Sequence, residues 1–257
     1  QWLPNFGLSY LFAKGFSVRA KVGKGNSAPT NEEIRASDQQ FNTSLRPEYG
    51  WNKEIGIRKQ FGNSLFIEGS YFDFRMKDAI VRRQNEGGQE FFVNSGATVQ
   101  KGLEVLLESK SFNLKNDIFN YFKFRFSGSF YQFTFEDYRQ NDNDFSGNDL
   151  TGVPQTTVNS LINFILFKKL SVDYSHFYTS KIPLNDANSV WSDSSLVGNI
   201  QFRFPFEFDR TRLNIFLQIQ NLYNEDYVSG FDINAFGNRY YNPAAKRNFV
   251  FGVKADF

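Results

Sequence analysis

The 257-residue sequence has no cysteine, one histidine and one methionine. Without cysteine there is no disulfide framework, thiolate metal site or cysteine nucleophile. The single imidazole, His176, has no second histidine with which to build a metal or catalytic cluster. Long apolar runs are missing as well. No stretch approaches the roughly 18 uninterrupted apolar residues that a spanning helix needs, and mean hydropathy is −0.47. Net charge is only +2 at pH 7, with no basic tract that could track a phosphate backbone, so nucleic acid is not an expected partner. There is no phosphate-cradling glycine loop and no metal-spaced cluster, and a serine–histidine pair would have to use His176. The chain is expected to be a non-enzyme without cofactor or metal.

What the sequence has in excess is aromatic. Phe 32, Tyr 12 and Trp 3 bring the aromatic share to 18%, more than a soluble core of this size requires. A transmembrane barrel uses such residues in two girdles and on its lipid face, and alternates them with polar lumen residues, which keeps averaged hydropathy low. The periodicity agrees. From Asn248 onward, Phe249, Phe251, Val253, Ala255 and Phe257 fall on one face, and Asn248, Gly252, Lys254 and Asp256 on the other. This is the pattern expected of a closing barrel strand with Phe257 in the periplasmic girdle. Leu213, Ile215, Leu217 and Ile219 alternate with Asn214, Gln218 and Gln220; Phe122, Phe124, Phe126 and Phe130 alternate with Lys123, Arg125, Ser127 and Ser129. His176 is in phase with Leu170, Val172, Tyr174 and Tyr178, a lipid-facing girdle position.

Period-two segments predict strands near 5–13, 15–23, 49–60, 64–82, 91–109, 118–136, 156–167, 169–179, 194–204, 212–222 and 247–257, with no long helix. Tight connections (Ala13 to Gly15, Phe61 to Asn63, Ser109 to Asp117, Lys168-Lys169, Pro205 to Thr211) alternate with long ones (24–48, 83–90, 137–155, 180–193, 223–246). Short turns belong in the periplasm and long loops outside. About 11 strands place the two ends on opposite sides of the membrane, whereas complete bacterial barrels have an even count. The expected fold is therefore an all-β, transmembrane antiparallel β-barrel, of which this chain is half. Open edges in lipid cost several kcal/mol per unpaired group, so the first and last strands should pair with strands outside this chain and not with each other. The chain opens Gln1-Trp2-Leu3-Pro4 without a signal peptide, as expected of a processed or partial polypeptide.

A family resemblance runs along the chain. Gly15 to Gly25, with Ala28-Pro29, Glu32-Glu33-Ile34, Leu45-Arg46-Pro47-Glu48 and Glu54-Ile55-Gly56, resembles the middle of a TonB-dependent outer-membrane receptor barrel. Asn94-Ser95-Gly96 followed by Gly102-Leu103-Glu104 is similar to the family's N-x-G and G-x-E marks. Gly152-Val153-Pro154, the stretch Ile182 to Asn188, Asn221-Leu222-Tyr223-Asn224 with Tyr227, and Arg239 to Pro243 with Arg247 and Phe257 continue the likeness in order. The resemblance implies a receptor of iron-chelate (siderophore) type, with a parent barrel of about 22 strands around a plug. Residues 1–257 would supply its C-terminal part, without the plug. Implied partners are outer-membrane lipid, the receptor's own plug and remaining strands, and the TonB system reached through the missing N-terminal part.

Within that frame Arg19, Lys21, Glu54, Arg58, Glu104, Glu108, Lys123, Arg125 and Arg203 are expected to face the lumen, each paired to a neighbour or turned toward the plug. Ligand contacts are expected from the loops: Tyr227, Phe231 and Phe236 beside Arg239, and Asn185, Asp186, Asn188 and Trp191. Aromatic rings beside a guanidinium suit a flat anionic ferric chelate; packing of the loops on one another, above all through Tyr240 and Tyr241, is the plainer role. Asp142-Asn143-Asp144 with Gly147 offers clustered oxygens of a calcium-loop kind, or a solvated polar loop. Two other functions fit a receptor barrel: an importer of glycans or peptides that works with a surface lipoprotein, and a non-transporting component of a membrane assembly.

Overall fold

A computed structural model describes residues 2–37, 40–85, 87–94, 96–114, 116, 118–140, 143–208 and 211–256. Phe257, Ser95, Asp117 and Asp142, each part of an expectation above, lie outside the described residues. Eleven long strands form one antiparallel sheet in chain order: β1 (Asn5–Ala13), β2 (Phe16–Ser27), β3 (Glu48–Phe61), β4 (Leu65–Lys77), β5 (Ala97–Ser109), β6 (Phe119–Asp137), β7 (Thr156–Leu166), β8 (Leu170–Thr179), β9 (Ser195–Phe208), β10 (Thr211–Gln220) and β11 (Asn248–Asp256). Helix among the described residues is limited to Asn31–Ile34 and the 3-10 turn Phe236–Asn238.

The register shows why alternating sequences adopt this sheet. One cross-strand row reads Tyr10, Val18, Ile57, Gly69, Val105, Gly128, Val158, Tyr178, Leu196; the adjacent row reads Ser9, Arg19, Gly56, Ser70, Glu104, Ser129, Thr157, Thr179, Ser195. Side chains of adjacent rows point to opposite faces, so one face is apolar and the other hydroxyl-rich and charged. The apolar face is left uncovered: Ile57 is 52% and Phe251 69% exposed. A contiguous apolar face of this extent is not sustained in water. Hydrocarbon is the solvent it fits.

Among the described residues β1 pairs only with β2 and β11 only with β10, so the sheet has two open edges. Two of the expected strands are corrected. Residues 64–82 and 91–109 are not single strands: β4 stops at Lys77 and β5 starts at Ala97, and Ile80–Gln84 pairs with Glu90–Asn94 as a separate hairpin. The break follows from backbone at Asp78 (φ 55) and Gly96 (φ 93), which turns the chain out of the sheet. The turn expected from Pro205 is also displaced, because β9 continues to Phe208. The β8–β9 ladder ends at Ser171 and Arg203, so Pro205 has β10 on one side only and its missing N–H breaks no ladder bond.

Candidate functional site

The lumen wall is a network of paired charges. Arg19 contacts Glu68 at 2.5 Å and Glu54 at 3.3 Å, Arg58 reaches Glu68 at 3.0 Å, and Lys123 reaches Glu108 at 3.3 Å with Arg125 at 3.9 Å. Arg203 pairs with Asp173. Glu68 and Asp173, which complete these pairs, were not among the residues expected from sequence. The network is half-exposed to the lumen, and such pairs contribute little to stability. Glu68→Gln is therefore expected to change unfolding of the intact receptor by no more than about 1 kcal/mol in a denaturant titration.

Above the lumen four of the five long loops meet at one buried carboxylate, Asp186. Asp186, 4% exposed, accepts from Arg83 of the Ile80–Gln84 hairpin strand, from the Tyr138 hydroxyl at 3.2 Å, from Thr151 Oγ1 at 2.5 Å and from Asn234 Nδ2 at 3.2 Å. Its carbonyl accepts from Asn148 Nδ2 at 2.8 Å and its N–H donates to Asn234 Oδ1 at 3.0 Å. Burial pushes the Arg83 guanidinium below its ordinary pKa, against the opposing pull of Asp186, and its charge lies 4.7 Å from the Tyr138 ring centroid. The fifth loop is attached through the same hairpin: Asn42 Nδ2 donates to the Phe92 carbonyl at 2.8 Å, and Asn94 exchanges bonds with Arg46 at 2.9 Å in each direction. Ile182, Leu184 and Tyr240 form an apolar core beside this hub, with Phe231 against it.

Most of the loop residues expected to touch ligand are occupied by these contacts. Asn188 bonds to Asp149 through both side-chain atoms, at 2.7 and 3.0 Å. Asn185 holds its own turn through Ser189. Trp191 donates Nε1–H to the Asn188 carbonyl at 2.7 Å, with Lys181 4.6 Å over the ring. Phe236 and Arg239 are exposed at the tip of the 3-10 turn. A cleft of about 570 Å³ separates the loop 180–194 from the loop 221–247, lined by Tyr227, Phe231, Tyr241, Ser192, Asp193 and Lys246. Tyr227 and Phe231 line this one cleft, whereas Trp191 and Arg239 do not. Of the calcium-like loop, Asp144 is paired with Arg139 at 3.2 Å, and its bonds from Ser146 hold the carboxyl below its usual pKa.

A family model described as TonB dependent receptor-like, beta-barrel, matches residues 1–222. The chain belongs to the TonB-dependent receptor β-barrel family. Similar solved structures include the siderophore receptor PiuA from Acinetobacter baumannii, at 18% identity and a TM-score of 0.72 over 98% of this chain and 35% of that one. The ferric-catecholate import receptor Fiu from E. coli K12 follows, with 15% identity, a TM-score of 0.69, and 98% and 34% covered. A mutant of the ferric enterobactin receptor PfeA from Pseudomonas aeruginosa, in complex with enterobactin, gives 16%, 0.69, 100% and 41%. At these identities the likeness is one of fold, and the chain spans only 34–41% of those three receptors.

Membership of the TonB-dependent receptor family places the chain in the Gram-negative outer membrane and makes it part of a receptor and not an enzyme. It also gives the sequence marks a physical basis. Gly102 lets the rings of Phe72 and Tyr131 close over the lumen face, since a Cβ there would lie 2.7 Å from both, and the Tyr131 hydroxyl donates to Glu104 at 2.9 Å. Asn221, at φ 50, accepts from the Glu225 N–H at 2.8 Å and donates to the Glu225 carbonyl at 2.8 Å, closing the turn that places Tyr223 over Gly198. His176 packs at 5.8 Å from Tyr223 and 6.1 Å from Tyr174, in the outer aromatic girdle expected of it.

Proposed function

We propose that residues 1–257 are the C-terminal part of a barrel of about 22 strands that surrounds a plug supplied by the rest of the receptor, and that the whole imports a ferric chelate or siderophore using energy delivered through TonB. An odd number of strands with two open edges in lipid supports completion by further strands. The observation that carries the ligand reading is the cleft between the two last extracellular loops, in which Tyr227, Phe231 and Tyr241 stand beside Lys246, itself paired with Asp226 on the cleft wall. Rings next to a cation match a flat, anionic metal chelate. The receptors named above, described as siderophore, ferric-catecholate and ferric enterobactin receptors, are similar in fold along the whole chain.

The test is an equilibrium titration of the full receptor in detergent with ferric chelates. Tyr227→Ala in the cleft, and Arg239→Ala and Trp191→Ala around it, are each expected to weaken binding by roughly 1–3 kcal/mol. Arg239 is the cleaner of the outer two, because it is exposed while Trp191 also braces its own loop. Unchanged affinity in all three variants would reject the ligand assignment. Failure of the unmodified receptor to bind any ferric chelate would turn the function toward glycan or peptide import.

A further inference from the structure

The outward face is not apolar throughout. The row Leu8, Ala20, Ile55, Tyr71, Leu103, Phe130 is the last apolar one on the N-terminal side of the sheet. Toward the extracellular loops the next outward rows read Phe6, Val22, Lys53, Asp73, Lys101, Gln132, then Lys24, Trp51, Arg75, Val99, Thr134, then Asn26, Tyr49, Lys77, Ala97, Asp137. Period-two geometry puts Lys24, Lys53, Arg75, Lys77 and Lys101 on the same side as Ile55 and Ile57, away from the lumen. The carboxylates paired within this patch are Asp73, 3.5 Å from Arg75 and 4.0 Å from Lys101, and Glu136, 3.6 Å from Arg75. Lys53 and Lys77 have no ion-pair partner among the described residues, and Lys24 lies 5.0 Å over the Tyr49 ring. A cleft of about 440 Å³ opens here, lined by Tyr49, Trp51, Lys53, Asp73, Arg75 and Lys77.

The position of the patch identifies its ligand. A lipid-facing Lys or Arg is strongly unfavourable at the bilayer midplane and nearly neutral at the interface, so a cluster of cations directly above Ile55 and Tyr71 sits at the outer-leaflet headgroups. Its ligand must be anionic at that level and must carry chains that continue down over Ile55, Ile57 and Leu103. The face of Trp51, 44% exposed, offers a stacking surface for a sugar ring. We propose that β2–β5 form a binding surface for the phosphate groups of a phosphorylated glycolipid of the outer leaflet. This inference rests on the outer-membrane location and is independent of what the receptor transports.

The test uses the full receptor, stripped of bound lipid in detergent and titrated with bisphosphorylated lipid A in mixed micelles. Three proteins are compared: the unmodified receptor, the outward variant Lys53→Gln/Arg75→Gln/Lys77→Gln, and the lumen variant Lys21→Gln/Arg58→Gln/Lys123→Gln, which loses the same charge. A basic residue near an anionic membrane surface contributes roughly fivefold, so the outward variant is expected to lose at least about tenfold in affinity. The lumen variant should bind as the unmodified receptor does. With dephosphorylated lipid A the outward and unmodified proteins should become equal, and inorganic phosphate should not compete. Equal binding by the outward and unmodified proteins, an equal loss in the lumen variant, or full competition by inorganic phosphate would each overturn the proposal. If the outward variant does not reach its heat-modifiable folded form, Lys53→Gln and Lys77→Gln singly carry the same test, with a loss of roughly fivefold each.

Discussion

Asp186→Ala is expected to release the extracellular loops from one another while the barrel stays folded. The carboxylate is the shared acceptor for Arg83, Tyr138, Thr151 and Asn234, which come from three other loops. Removing it leaves a buried guanidinium without its counter-charge, a change that costs about 3–5 kcal/mol. None of these groups lies in the ladders of the eleven-stranded sheet, so the cost falls on local opening of the loops. Amide exchange at Leu184 and Tyr240, which pack beside the hub, should accelerate by roughly two to three orders of magnitude. Heat-modifiable gel migration should be unchanged. Arg83→Met should cost less, because Asp186 keeps its hydroxyl and amide donors. A variant pair with the reverse order, or exchange rates that do not move, would show that the hub does not hold the loops.

The second large effect is expected at Gly96, and it concerns assembly. Gly96 has φ +93, and a Cβ on it would lie 2.0 Å from the carbonyl oxygen of Asp137 at the end of β6. That oxygen is backbone and cannot turn aside, so Gly96→Ala has to part β5 from β6 at their extracellular ends. It also has to disturb the bond from the Asp78 N–H to the Gly96 carbonyl, 2.5 Å. Positive-φ strain alone costs about 1–3 kcal/mol, and with the clash the total is expected to exceed about 3 kcal/mol. The measurement is the fraction of receptor that reaches the heat-modifiable form in the outer membrane, expected to fall severalfold. Gly25→Ala is the control, since nothing lies within 4 Å of a Cβ there. Equal yields from the two variants would remove the steric account of the Asn94 to Gly96 mark.

The strands were legible because each separates two solvents. The spans expected at 5–13, 118–136 and 156–167 match β1, β6 and β7 to within a residue, since each strand ends about where its alternation ends. Where the expectation overran, at 64–82 and 91–109, the apolar alternation itself continues through Ile80 and Phe92 into a hairpin outside the membrane. Backbone at Asp78 and Gly96, not hydropathy, makes the break. The loop hub was only half visible. Asp186 stood out as a polar residue in a family-like stretch, but its partner Arg83 is 103 residues away in sequence, and no periodicity connects the two. Polarity alone marks Asp186 and Asn188 as candidate ligand contacts. Burial and pairing commit both to neighbouring loops, and exposure leaves Arg239 as the freer cation.

The unbroken register from Ser9 to Ser195 limits how such a protein can change over generations. Inserting or deleting one residue within any strand between them would turn every later side chain of that strand to the other face, placing Arg19 or Glu104 in hydrocarbon and Ile57 or Val105 in the lumen. Changes in length can therefore accumulate only where no ladder is crossed, in the turns and loops between strands. Four of the long loops are joined at Asp186, so an insertion that alters the reach of one is constrained by the others it contacts. Diversification of the outer surface is then expected to proceed by substitution at exposed tips such as Phe236 to Arg239, with the hub kept intact.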